Sequence, residues 1–470
     1  MSPASSFAPA FAVHAIGLAF LQFVFITTGM TLQSCSIEIV DAQNGWPVLL
    51  VELRTTHNVW FVSDNAGKIA FDLPELMGLE TWFFVEGHGY EVPADGFGYC
   101  GVRLTPEPGK KLTVKVNRRL PGKRLGRISG GGIFAESQKL GLEPAWTEQG
   151  VLGCDSVQTV VHNGKMFWAW GDTNLPHYPL GLFHMLGATT GLKPLQSIEP
   201  PIRMRFDYFR GDDGRPRVIA EMAGKGPTWL SGFASLPDIL GTQRLVASYV
   251  KVQAPMTVYE TGLCVWSETQ EKFERHSVLW KKTEADPKPP PTPDGHPVYW
   301  TDESDKEWIL FGDPFPHLKC PATFEAWSDP RQWQSLEPQK TVPVAGSGES
   351  IKPHRGSIAW NAWNKKWVCV FTQLGGKSSN IGEIWYADSD SPPGPWGNAV
   401  HVVTHADYSF YNPLIHLELT GDDSPVLLFE GTFTRTFSKN AEASPRHDYN
   451  QILYRLDLDD RVFSGDQSKR

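Results

Sequence analysis

The feature that most constrains this chain is an irregular internal repeat that begins near Gly150 and runs almost to the C-terminal residue. Its unit is strand, turn, strand, loop, strand. The second strand of each unit is the clearest: "KMFWAWGDTN", "QRLVASYVKVQ", "EWILFGDPFP", "KWVCVFTQLGG" and "PVLLFEGTFT". A third strand reads after each, in "FHMLGATT", "GLCVWSET", "FEAWSDP", "EIWYADSDS" and "QILYRLDL". Further strands follow most of them, as in "RQWQSLEP" and "GNAVHVV". Apolar, β-branched and aromatic residues between Gly, Pro, Asn and Asp punctuation are what such strands require, and helical periodicity is weak throughout. A unit of this kind cannot bury its own faces and must stack on its neighbours. Five units of four antiparallel strands therefore predict an all-β fold, a five-bladed β-propeller over residues 133–463. A jelly roll or double sandwich is the alternative; tandem units with one internal order favour the propeller. The Pro-rich run Asp286–Pro297 reads as a stiff connector between units two and three.

At 470 residues the chain exceeds one ordinary domain. Residues 36–119 alternate like strands in "SIEIVDA", "PVLLVELRT", "KIAFDL", "TWFFVEG" and "KLTVKVN". The phrases "DAQNGWPVLLVELRTT", "FVSDNAGKIAFDL" and "GHGYEV" resemble the carboxypeptidase regulatory-like domain, which implies a small β-sandwich ahead of the propeller, a spacer or docking surface without chemistry. The basic, Gly-rich joint "RRLPGKRLGRISGGG", Arg118–Gly132, reads as a flexible linker over 120–132.

From Phe11 to about Thr28 the chain is nearly all apolar, like the core of an export signal, which is assigned to residues 1–34. No Lys or Arg precedes it. "LQSC", ending at Cys35, resembles a lipoprotein cleavage box and suggests a lipid anchor on that cysteine. An uncleaved membrane anchor is the rival, since the run approaches the roughly 18 residues that a span needs. Each reading puts the folded part outside the cytoplasm: periplasmic, cell-surface or secreted. None of the six cysteines forms a C-x-x-C pair, so structural zinc is not expected and buried small hydrophobes are. A net charge of -9 argues against a nucleic-acid partner and fits a neutral or weakly charged substrate.

The chemistry is sought in "GCDSVQTVVHNGKMFWAWGDTN", Gly153–Asn174. Asn163-Gly164 signals a two-residue type I′ hairpin turn. Counting outward from it, His162 faces Lys165, Val161 faces Met166, and Asp155 lands opposite Asp172. Facing side chains on a ladder hold their Cβ atoms roughly 5 Å apart. Two carboxylates so placed cannot both ionise freely, so one apparent pKa rises. A protonated acid beside an ionised carboxylate is the machinery of glycoside hydrolysis. A calcium ion or an arginine could neutralise the pair instead. Without them, Asp172 is a turn former and Asp155 a strand-end cap.

In a blade, the start of the first strand and the end of the second lie on one face, and that face commonly forms a ligand funnel. By this rule Trp229, Glu260, Asp313, His354, Arg355, Tyr411, Asn412, Glu430, His447, Asp448 and Tyr449 project toward it. Trp229 and Tyr411 suit stacking on a sugar ring, and Arg355 suits a hydroxyl or acidic group. Glu430 joins Asp155 and Asp172 as a catalytic candidate, with Asp313 and Glu260 as reserve acids. No His cluster has metal spacing and no cofactor is implied.

The first-blade stretch resembles the five-bladed propellers of domain-of-unknown-function family 4185, related to endo-D-arabinanase-like, sugar-cleaving propellers. That resemblance spans about 300 residues. It implies that two first-blade acids, here Asp155 and Asp172, carry the chemistry. The leading expectation is an exported glycoside hydrolase acting on a polysaccharide or oligosaccharide. A non-catalytic, lectin-like carbohydrate binder is second. A polysaccharide lyase, using Tyr449 or His447 as base and Arg355 to neutralise a uronate, is third.

Overall fold

The computed structural model describes residues 33–421, 423–440 and 442–463. The apolar run Phe11–Thr28 lies outside them. Near the start of the described chain, side chains of Cys35–Asp41 alternate between buried and half-buried, as a strand with one packed face requires. That strand lies in a sheet of order Lys68–Phe71, Cys35–Asp41, Lys111–Arg118, Tyr90–Glu91. A second sheet, of order Trp60–Val62, Glu52–Thr55, Thr81–Glu86, Gly101–Leu104, packs against it. Ile37, Leu53, Phe71, Phe83 and Val116 fill the space between the two. Cys35, expected to carry a lipid, is fully buried in this core, and its thiol donates to the Lys110 carbonyl at 3.4 Å. That burial gives the expected lipid anchor on Cys35 no support. All six cysteines are free, and five are buried.

Five four-stranded antiparallel sheets follow as the blades of a propeller. Blade 1 is Gln158–His162, Lys165–Trp170, Leu186–Thr190, Asp207–Tyr208. Blade 2 is Thr228–Pro237, Gln243–Gln253, Thr257–Ser267, Lys272–Lys281. Blade 3 is Val298–Thr301, Glu307–Gly312, Pro316–Pro321, Gln334–Ser335. Blade 4 is Pro353–Asn361, Lys366–Gln373, Ile384–Ser389, Gly397–Val403. Blade 5 is Ser409–Ile415, Val426–Thr434, Asn450–Asp457 and, from before the repeat, Lys123–Arg127. The hydrophobic cores close the ring. Phe167 packs with Phe233 between blades 1 and 2, Leu236 with Phe311 between 2 and 3, and Trp300 with Phe371 between 3 and 4. Val370 joins Phe429 between 4 and 5, and Leu428 joins Trp168 between 5 and 1.

Two expectations change here. The joint read as a flexible linker contains the outer strand of blade 5: Lys123 pairs with Arg455, and Arg127 with Ile452. Two of its basic residues, Arg124 and Arg127, are buried rather than solvated. Arg124, 2% exposed, donates to the Leu49 carbonyl and the Tyr454 hydroxyl, each at 3.0 Å. The stretch "FEAWSDP" is not the third strand of its unit. Thr323 caps Ala326 N at 3.3 Å and starts a short helix, Phe324–Ser328, while Pro316–Pro321 supplies the strand.

Candidate active site

The hairpin that opens blade 1 carries the site. Asn163 and Gly164 both take positive φ, 48° and 75°, as a type I′ turn demands. The register is the expected one: His162 opposite Lys165, Val161 opposite Met166, Gln158 opposite Ala169. The inner strand breaks at residues 155–157, where Ser156 has φ 53°. Beyond the break Cys154 pairs with Thr173 and Gly153 with Asn174. Both ladders keep one register, so Asp155 and Asp172 occupy the same rung in the gap between them. The Gly171 amide donates to the Asp155 carbonyl at 2.7 Å. A Cβ at residue 171 would sit 2.3 Å from Asp155 Oδ1, so this approach of carboxyl to backbone requires glycine.

The carboxyls are partnered from neighbouring blades. The Tyr411 hydroxyl, at the start of blade 5, donates to Asp155 Oδ2 at 2.8 Å. Tyr449, the Asp172 backbone amide and Ser156 also bond this carboxyl. Burial raises the Asp155 pKa, and these donors oppose the rise. Burial first, then the Asp155 charge, pushes Asp172 up to about 6 against one hydrogen bond from Trp229, whose Nε1 lies 3.1 Å from Oδ1. Burial and the adjacent carboxylate raise both Tyr411 and Tyr449, which keeps the two hydroxyls protonated as donors. Asn412 Nδ2 donates to Ser156 Oγ at 2.7 Å, fixing the turned-out residue between the aspartates and blade 5. The arrangement can hold one carboxyl as a hydrogen-bonded anion beside a second that gives up its proton near pH 6.

Of the sequence candidates, Asp155, Asp172, Trp229, Tyr411, Asn412 and Tyr449 come together. Glu430 does not. Its side chain and that of His416 are both 0% exposed, and His416 Nε2 meets Glu430 Oε1 at 2.7 Å between blades 5 and 1. The second strand of blade 5 is buried along its whole length, so its acid turns inward. Glu260 is likewise occupied, by Arg275 at 2.8 Å, Lys281 at 3.4 Å and the Tyr249 hydroxyl at 2.8 Å. His447 is buried, and burial beside Arg127 and Arg446 holds its pKa well below the ordinary value. Asp448 braces the loop around it, accepting from the Tyr408 hydroxyl at 3.0 Å and from Arg435 N at 2.8 Å.

Asp313, His354 and Arg355 form a separate group on blades 3 and 4. Asp313 accepts from Gly356 N at 2.8 Å and from Arg355 Nη1 at 2.9 Å. Asp294, His296 and His317 join this group. His317 lies 3.4 Å from Asp294, and burial lowers the His296 pKa to about 4. Asp294 and His296 lie within the Pro-rich run expected to be a connector, and His317 lies in the strand Pro316–Pro321 just beyond the Asp313 turn. Asp294 and His296 precede the inner strand of blade 3 as Asp155 precedes that of blade 1, and that placement was the available signal. Phe437 was missed as well: 66% exposed, it sets its ring against Tyr411 at 5.9 Å. It follows the second strand of its blade, where the same rule would have found it. Among the described residues no set of three or more His, Cys, Asp or Glu is arranged to hold a metal ion, so the calcium considered as a neutraliser of the aspartate pair has no such ligand set there.

No family model and no curated protein matches the chain. Solved structures with a similar course include an exo-1,5-α-L-arabinanase from a bovine ruminal metagenomic library, at 10% identity and a TM-score of 0.38, covering 66% of this chain and 95% of that one. A family 43 glycoside hydrolase from Bacillus licheniformis aligns at 12% identity and a TM-score of 0.38, over 65% and 72% of the two chains. An endo-1,5-α-L-arabinanase from Thermotoga petrophila aligns at 12% and 0.37, over 66% and 73%. Likeness at these scores decides nothing about the chemistry of this chain.

Proposed function

We propose that this protein is a glycoside hydrolase, acting outside the cytoplasm on a polysaccharide or oligosaccharide, with Asp172 as general acid and Asp155 as its carboxylate partner. One observation carries the reading: two aspartates share a rung at the mouth of blade 1, one held by tyrosine hydroxyls and the other protonated up to about pH 6. Asp172 would give its proton to the glycosidic oxygen as the bond to the anomeric carbon breaks. Asp155 would stabilise the positive charge that develops there, as nucleophile or as base toward water. Trp229, half-buried beside Asp172, offers an apolar face to a sugar ring. The lyase reading loses support, because the Tyr449 hydroxyl bonds Asp155 and its pKa is raised, His447 is buried, and Arg355 is paired to Asp313 on another blade.

The test is hydrolysis of a broad glycan panel against pH. Activity should fall above about pH 6 as Asp172 loses its proton, and fall again in acid as Asp155 gains one. Asp155→Asn and Asp172→Asn should each lose about 10²–10⁴-fold in kcat, the usual worth of one acid–base group. A wild type that binds a glycan without cleaving any would leave the lectin-like reading in its place.

A further inference from the structure

The sandwich was expected to carry no chemistry, yet the outward face of its second sheet presents an aromatic and basic surface. Side chains on a strand alternate, so Leu53, Phe83 and Val85 enter the core while Arg54, Trp82 and Phe84 face out. Arg54 pairs with Trp60 on one side and Phe84 on the other, and Trp82 pairs with Arg103. The Arg54 guanidinium lies over both rings, 4.4 Å from the centroid of Phe84 and 5.3 Å from that of Trp60. Arg103 covers Trp82 at 5.3 Å. Tyr99, 56% exposed, extends the row edge-on to Phe84 at 5.8 Å.

Cross-strand aromatic and cation–π pairs by themselves steady a sheet. That accounts for the stacking but not for the charge. Both residues are held in the strand ladders by their backbones, but neither guanidinium has a carboxylate or hydrogen-bond partner among the described residues. Each leaves a fork of N–H donors facing water on a chain of net charge -9. Of the acids near this face, Glu52 and Glu86 occupy the next rung, with Glu52 turned to Ser444, and Asp95 accepts from the Tyr99 backbone amide at 3.0 Å. Ser444 belongs to the loop between Thr434 and Asn450 that also carries Phe437 and Tyr449. Glu52 of this face therefore touches the loop that borders the carboxylate pair.

We propose that this face is a second glycan site, one that binds an acidic polysaccharide: a sugar C–H face rests on Tyr99 and against the ring edges that the two arginines leave open on Trp60, Trp82 and Phe84, and sugar carboxylates bond Arg54 and Arg103. The stacked guanidinium is pre-oriented for such a bidentate contact. The site adds chain-holding capacity at a distance from the cleavage point, and its occupancy does not depend on cleavage.

The experiment is affinity electrophoresis of the full chain through gels containing polygalacturonate or a neutral galactan, at low and high salt. Wild type and Asp155→Asn should be retarded equally by polygalacturonate, and salt should weaken the retardation. Arg54→Gln with Arg103→Gln should weaken apparent affinity about tenfold or more, with Arg54→Lys between the two because it keeps charge without the planar fork. Thermal melts should match wild type within a few degrees, which separates lost binding from lost folding. No retardation of wild type, or equal retardation of the double variant, overturns the site. Retardation by galactan alone overturns its acidic ligand. Binding here without hydrolysis of any glycan would overturn the catalytic reading and leave this one standing.

Discussion

Asp172 holds its proton up to about pH 6, against 3.8 for an ordinary aspartate, because it is buried beside Asp155. The folded state thus binds a proton that the unfolded chain releases, and stability falls as pH rises between those values. Removing the carboxyl should therefore stabilise the protein at neutral pH. Asp172→Asn is expected to raise Tm at pH 7.5 by the equivalent of about 1–3 kcal/mol and to leave it nearly unchanged at pH 4, by scanning calorimetry. An unchanged Tm at pH 7.5 would mean that neither burial nor the Asp155 charge holds the proton on Asp172. The pairing itself was legible from Asn163-Gly164, since a two-residue turn and strict alternation leave one register. Its partners were not. Tyr411 reaches Asp155 across 256 positions of chain, a separation on which local pattern is silent.

At the scale of elements, the segment from Lys123 to Arg127 does the least expected work. It was read as a linker because Gly and basic residues dominate it, and nothing local distinguishes an outer blade strand from a solvated joint. Its role comes from the strand it meets: Leu125 is fully buried in the core shared by blades 5 and 1. Leu125→Ala should cost about 2–5 kcal/mol in denaturant unfolding, as large-to-small changes in such cores do, although the residue precedes the repeat. A surface-like loss below about 0.5 kcal/mol would show that the ring closes without this strand. Helix Phe324–Ser328 teaches the same lesson in reverse. "FEAWSDP" has the composition of a strand, but Thr323 offers a cap and Pro321 ends the ladder one residue before Ala322, so the chain turns helical.

Over the whole molecule, sandwich and propeller are joined by buried polar bonds. Asn65 exchanges two hydrogen bonds with the Arg127 backbone, each at 2.9 Å, and Asp64 accepts from Ser137 N at 2.7 Å. Leu49, Leu50 and Val62 of the sandwich belong to the core between blades 4 and 5. Cutting there would leave buried donors such as Arg124 without acceptors, a cost of about 1–3 kcal/mol for each group. A propeller expressed from residue 120 onward should accordingly melt well below the full chain or fail to stay soluble, and the full chain should melt in one calorimetric transition. Two separated transitions, or a truncated propeller as stable as the whole, would show that the domains are independent.

Chain order alone was enough for the number of blades, the strand alternation and the rung that Asp155 shares with Asp172, because each rests on turns and periodicities spanning fewer than about 20 residues. Long-range packing chose the rest. It turned Glu430 inward onto His416, surrounded Glu260 with Arg275 and Lys281, drew a supposed linker into blade 5, and seated Cys35 in a core. Burial and the choice of hydrogen-bond partner belong to surfaces assembled from distant segments, so the residue types visible along the chain do not specify them.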